Sequence, residues 1–527
     1  MTAYAKPPCD AGVIHATPHV APARGSSAPW ILAATILGSG MVFVDGSAVN
    51  VALPALQRDL GASIAEVLWV VESYALFLAA LLLAAGAAGD RYGRKIIFSL
   101  GTWLFVLASI WCGLANSALE LIIARAVQGV GGALLVPNSL AIISASFDDR
   151  ERGRAIGTWS GATAITAAIG PVLGGWLVDE VSWRAVFFLN IPFAAAVLAV
   201  TYWHVPESRN EAEKEPLDWP GAALATLGLG GLVYGLIEAT RRGWTSPDIL
   251  VALVVGVLLL VAFVVVEDRK REPMLPLNLF RSRTFTGANV LTFLLYGALG
   301  GGLFFIPLNL IQVQGYSATA AGAAVLPFIL LIFVLSRWAG GLVDVYGKRL
   351  PLVVGPSVAG AGFALLAIPA VGGSYWFTVF PGVSVLGLGM AIAVAPLTTT
   401  VMSSVESAYA GIASGINNAA SRVAALLAVA LFGVVMTFAF NATLDRALVR
   451  ANLPSTVVQT IVGQREKLAA IELPAQPDAR TREVAREAIA GAFVAGYRWI
   501  MLISALLGVA SALIAALTID GRRRGRG

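Results

Sequence analysis

Apolar runs of about twenty residues recur along this chain with short polar breaks, and each is long enough to cross the hydrocarbon core of a bilayer as a helix. They fall at about 30–53, 66–88, 96–116, 119–144, 154–178 and 185–204, then at about 219–238 and 248–266, and finally at about 285–312, 319–342, 350–371, 375–401, 408–440 and 491–518. The pattern predicts an all-α integral membrane protein with fourteen transmembrane helices. An even number of crossings puts both termini on one side. Composition agrees, because 57% hydrophobic and only 13% charged residues in a chain of 527, at a mean hydropathy of +0.79, cannot be hidden in a soluble core.

Charge adds an orientation. Arg91, Arg94 and Lys95, then Arg150, Arg152 and Arg154, then Arg269, Lys270, Arg271, Arg281 and Arg283, then Lys348 and Arg349, and last Arg522, Arg523, Arg524 and Arg526 all fall on one face. The short loops of the other face hold Arg58, Arg184, Arg241 and Arg242. This excess predicts that the first face is cytoplasmic, with both termini internal and the chain a multi-pass protein of the cytoplasmic membrane. The net charge of +5 does not signal nucleic acid, because the bases are scattered among short loops. Cys9, Cys112 and the histidines His15, His19 and His204 show no ligand spacing, so neither a metal site nor a cofactor is expected. The expected partners are lipid, protons and an amphipathic small molecule, with the protein a monomer.

The stretch Gly86-Ala-Ala-Gly-Asp90-Arg91-Tyr-Gly93-Arg94-Lys95 has an echo at Gly340-Gly-Leu-Val-Asp344-Val-Tyr-Gly347-Lys348-Arg349. Both follow the second apolar run of their half, which predicts a duplication: two pseudo-symmetric six-helix bundles at 30–204 and 285–518. Residues 205–284 hold linkers and two inserted transmembrane helices. Residues 1–29 form a disordered cytoplasmic tail, 441–490 an external loop with an amphipathic helix near Val457–Ile471, and 519–527 a basic cytoplasmic tail.

The first copy resembles the loop between spans 2 and 3 of major facilitator superfamily transporters, Gly-x-Leu-Ala-Asp-Arg-x-Gly-Arg-Lys, with Ala88 where leucine is usual. The layout of twelve spans plus an inserted pair is similar to the fourteen-span drug:proton antiporters of that superfamily. Under this resemblance Gly86, Asp90, Arg91, Gly93, Arg94, Lys95, Asp344, Gly347, Lys348 and Arg349 form a cytoplasmic gate whose charges pair when that side is shut. In span 4, Arg125-Ala-Val-Gln128-Gly129 resembles the motif whose arginine is implicated in proton transfer. In span 5, Gly170-Pro171-Val-Leu-Gly174-Gly175 resembles the antiporter motif associated with exporters, with Thr166 in place of its first glycine.

Two acids stand alone in apolar runs, Asp45 in span 1 and Glu72 in span 2. A lone carboxylate at mid-membrane costs about 2.5–3.5 kcal/mol, so each is expected to face water, a partner or a proton. At 1.5 Å per residue both lie about 10 Å below the outer surface, level with Arg125. These three are the proton-coupling candidates. Phe43, Trp69, Tyr74, Trp159, Tyr296, Phe304, Asn309, Asn417 and Arg422 are candidates for lining a substrate cavity, and Gly300–Gly302 for a bend in span 9. The function expected is proton-coupled secondary export of drugs or other amphipathic molecules by alternating access. Export of an endogenous metabolite, such as a siderophore, a lipid precursor or a self-made antibiotic, stays open. A membrane enzyme or sensor lacks the clustered His, Cys or acidic residues and the Walker-type loop that it would need.

Overall fold

In the computed structural model, the described residues hold fourteen helices long and apolar enough to cross a membrane, standing where the apolar runs predict them. The structure describes residues 27–209, 218–270, 273, 275–406, 410–451, 453–474 and 478–520; the charge run at 211–216, Arg271 and the arginines at 522–526 lie outside the described residues. Numbered by crossing, the helices are α1 (Ala28–Leu60), α2 (Ile64–Tyr92), α3 (Arg94–Leu114), α4 (Ala118–Ser146), α5 (Asp149–Glu180), α6 (Ala185–Phe188 with Asn190–His204), α7 (Trp219–Arg242) and α8 (Pro247–Arg269). The second half holds α9 (Arg283–Leu308), α10 (Ala318–Ala324 with Leu326–Ala339), α11 (Arg349–Leu366), α12 (Phe380–Ser403), α13 (Ala410–Ala451) and α14 (Ala479–Thr518).

Short-range chemistry sets the helix ends. Ser63 forms a capping box with Glu66 at the start of α2, and Ser117 and Ser282 accept backbone N–H groups of α4 and α9. Each such cap satisfies a donor that the helix cannot. Gly93 (φ 115) separates α2 from α3, and Gly347 (φ 77) precedes α11. Both stand in backbone regions that a side chain resists, so the repeated stretch builds the same helix–glycine–helix turn twice.

The duplication reappears in the packing. α1 packs on α5 and α6, α2 on α4, and α3 on α4 and α6; eight helices later α9 packs on α13 and α14, α10 on α12, and α11 on α12 and α14. Between the bundles α5 meets α10 and α2 meets α13, again a matched pair. The inserted α7 lies against α2 and α13, and α8 packs on α7. Lys270 ties the base of this hairpin by pairing with Asp218 and Glu267.

The face where α1 begins is called the near face here, and the opposite one the far face. At the far face the expected loop at 441–490 is shorter than that range. α13 runs on to Ala451, because 441–451 is rich in Ala, Leu and Arg and holds no Gly or Pro. α14 starts at Ala479, capped by Asp478. With 42 residues, α13 is about 63 Å long, about twice the hydrocarbon thickness. The amphipathic stretch forms a helix at Ser455–Gly463 and a tighter turn at Arg465–Ala470. Gly300–Gly302 are no bend either: α9 passes through them unbroken. A Cβ there would meet Ala425, Phe432 and Phe363 within 2.4–2.6 Å, so these glycines let helices approach closely.

Candidate functional site

Asp45 and Arg125, each 1% exposed, meet where α1, α2, α3, α4 and α6 converge. Asp45 Oδ2 lies 2.5 Å from Arg125 Nη1. Asp45 Oδ1 accepts hydrogen bonds from Gln128 Nε2 and Asn190 Nδ2, both at 2.9 Å. Helical spacing puts Arg125 and Gln128 on one face of α4, and Arg125 Nη1 also donates to Gln128 Oε1 at 2.6 Å. Arg125 Nε donates to the Val70 carbonyl at 3.1 Å. Ser109 of α3 accepts from Gln128 and Asn190 at 2.7 and 3.0 Å, and the Arg125 guanidinium lies 4.0 Å from the Tyr74 ring centroid. Removing two charges from water is costly, and the cost is offset here by bonds to both Asp45 oxygens and from Arg125 Nε and Nη1. Gly129 permits the geometry, because a Cβ there would sit 2.5 Å from the Tyr74 carbonyl oxygen and push α2 off α4.

Asn190 and Ser109 were not among the sequence candidates. Replacing Asn190 with Ala removes one of the three donors to the Asp45 carboxylate, a loss of about 1–3 kcal/mol. A lower melting temperature of the purified protein is the expected result, and an unchanged one would count against the network.

Glu72 does not join this cluster. It lies one turn from Leu68 and one from Leu76, which touch Gly433 of α13 and Gly230 of α7, so its face of α2 looks away from α4. It is 1% exposed, and its Oε2 accepts no hydrogen bond. Depth along the helix matches Arg125; direction around the helix does not.

In the near-face turn one ion pair is local. Arg94 lies 2.6 Å from Asp90, four residues back, and Arg91 lies over the Tyr92 ring. The linker after α6 docks on the same turn: Glu207 accepts from the Lys95 and Ile96 N–H groups at 3.1 and 3.2 Å, and Lys95 Nζ donates to the Tyr202 carbonyl. Gly86 rests against Pro137 of α4. In the second copy Lys348 is half-buried and Arg349 exposed, while the Asp344 side chain lies outside the described residues.

The glycines of α5 serve two neighbours. A Cβ at Gly170 would lie 2.0 Å from Ser47 Oγ and one at Gly174 2.6 Å from Ala48 Cβ, both on α1. Gly175 faces the other bundle, where a Cβ would be 2.4 Å from the Ala318 carbonyl oxygen, and Gly322 of α10 is equally tight on Pro171.

The aromatic and polar cavity candidates are dispersed rather than gathered. Tyr74 packs under Arg125, but Trp69 turns to the inserted α7, where its indole N–H donates to Glu238 at 3.2 Å. Trp159 is wedged inside the first bundle and donates to the Thr35 carbonyl and Ser39 Oγ. Phe304 is buried edge-on to Phe305, and Asn309 opens a π turn at the far end of α9. Asn417 donates to Asn289 Oδ1 and Thr292 Oγ1 at 3.2 and 2.6 Å, a link between α13 and α9. Phe43, Tyr296 and Arg422 are half-buried. Among the described residues no group of His, Cys, Asp and Glu could hold a metal ion.

Comparison with known proteins fits this architecture. The Major Facilitator Superfamily profile matches residues 35–429. The chain is 36% identical over 434 residues to the multidrug resistance protein Stp of Mycobacterium tuberculosis (strain CDC 1551 / Oshkosh), covering 82% of this chain and 80% of Stp. It is 33% identical over 508 residues to the tetracenomycin C resistance and export protein of Streptomyces glaucescens, covering 94% and 92%. Its fold is similar to an inward-facing, unoccupied bacterial homolog of the human lysosomal transporter Spinster, with a TM-score of 0.61 at 18% identity, over 94% of this chain and 98% of that one. A chain with fourteen candidate spans, two matched bundles and these relatives belongs to the Major Facilitator Superfamily, as a transporter related to drug-resistance and efflux proteins and not an enzyme.

Proposed function

We propose that this transporter is a secondary active exporter that moves an amphipathic small molecule out of the cell in exchange for protons, by alternating access of two rocking bundles. The observation that carries the reading is the buried Asp45–Arg125 pair, an acid held far from bulk water by a cation that stays charged when buried. Arg125 competes with a proton for Asp45. A rearrangement that parts the two hands the carboxylate to a proton, and one that reunites them expels it. The near face, with its Arg- and Lys-rich short loops, is then cytoplasmic and both termini internal. The far face is hydrogen-bonded shut across the bundles by Gln312 to Gln57 and by Ala318 and Thr319 to Asp179, which supports reading this as the inward-facing state.

The relatives' names, multidrug resistance and tetracenomycin C resistance and export, support a drug-like substrate and the export direction. A tenfold proton gradient supplies about 1.4 kcal/mol per proton, and 100 mV about 2.3 kcal/mol per charge. In liposomes with an imposed pH gradient, purified protein is expected to drive uphill movement of lipophilic cations and to lose it when the gradient is collapsed. Transport indifferent to the gradient would refute proton coupling and leave the fold untouched.

A further inference from the structure

Pro171, Gly175 and Asp179 recur every four residues and form one stripe along α5, facing α10. The first two permit contact; the third makes a bond. The Asp179 carboxylate reaches across the seam and accepts three hydrogen bonds from the other bundle, from Ala318 N at 3.0 Å, Thr319 N at 2.8 Å and Thr319 Oγ1 at 2.6 Å. A second tie stands at the same level, where Gln57 of α1 accepts from Gln312 at 2.8 Å and donates to the Lys467 carbonyl at 3.2 Å. Between the two lies a cavity of about 320 Å³, lined among others by Ala55, Arg58, Asp179, Gln312, Tyr316 and Ala469.

We propose that Asp179 is the latch of the far-face door, a positioning residue whose three bonds to α10 hold the inward-facing state and must break each time the far side opens. The inference rests on the alternating-access part of the function above and on neither proton coupling nor substrate. A carboxylate suits the role better than a packing contact. Its bonds to N–H and O–H are charge-assisted and therefore strong while closed, yet Asp179 is exposed, so water replaces those donors once the bundles part and the latch reopens at little cost. The glycine stripe beneath it supplies fit without grip. The sequence shows Asp179 only as one acid at a helix end; its role appears when α10 is set opposite.

Accessibility tests it without measuring transport. Ala55→Cys places a reporter thiol on the cavity wall, and a membrane-impermeant maleimide added from the far side reads door opening, with the protein lacking the reporter as the blank. A second reporter, Ala87→Cys on the exposed near-face part of α2, is read from the near side. Adding Asp179→Asn is expected to speed far-side labelling about tenfold, the equivalent of roughly one charge-assisted hydrogen bond, and to slow near-side labelling. General loosening would instead speed both. Thr319→Val, which removes one of the three bonds, is expected to act in the same directions with a smaller effect, and it carries the test if Asp179→Asn does not fold. Unchanged far-side labelling in a folded variant, or both reporters speeding together, overturns the latch.

Discussion

Asp45→Asn is expected to abolish proton-driven accumulation while the protein still inserts and still lets substrate run down its own gradient. The isosteric amide keeps the shape and can still meet Gln128 and Asn190, but it carries no charge for Arg125 and no titratable proton. Removing one partner of a buried ion pair costs about 3–5 kcal/mol, so the population with Arg125 seated in this network falls on the order of a hundredfold or more. Because that network ties α1 to α2, α3, α4 and α6, the variant is also expected to melt at lower temperature. Gradient-driven transport and downhill exchange, measured side by side in liposomes, separate loss of coupling from loss of the protein. Full accumulation in this variant would remove Asp45 from the mechanism.

Gly322→Val should have a comparably large effect by a steric route. A Cβ at that position would lie 2.1 Å from the Pro171 carbonyl oxygen, and backbone cannot move aside as a side-chain tip can. Overpacking of this kind costs about 1–3 kcal/mol and sometimes more, and here the strain acts to part the bundles. Transport is expected to stop, with the far-face cavity left accessible to impermeant reagents. Gly161→Ala on α5 is the control, since nothing lies within 4 Å of the added Cβ; it should transport as the parent does. Normal transport by Gly322→Val would mean that the seam does not close as described.

What could be read from the sequence, and what could not, divides along one physical line. A position along a helix is legible, since each residue advances 1.5 Å, and so Asp45 and Arg125 were placed at one level, whereas Gln128 entered only through the span 4 motif and its bond to Asp45 came from the structure. Direction around the axis is set by partners far away in the chain. Glu72 shares the level of Arg125 but looks toward α7 and α13, and Trp159, at a plausible depth, points into its own bundle. Asn190 and Ser109 were invisible for the converse reason: an amide and a hydroxyl in apolar runs mean little until five helices converge on them. The repeated turn was legible because glycine at positive φ, acid and bases recur in fixed order. The far-face segment was misjudged because a polar sequence was taken for loop, whereas Ala, Leu and Arg propagate a helix well beyond the membrane.

The claim beneath all of this is that Asp45 takes up and gives back a hydrogen ion as the bundles rock. Liposomes loaded with substrate and an entrapped pH dye, diluted into substrate-free buffer at equal pH and zero potential, test it most directly. Outflow of substrate through the parent protein should acidify the interior, while Asp45→Asn should pass substrate with no pH change. Equal acidification by both proteins would contradict the account.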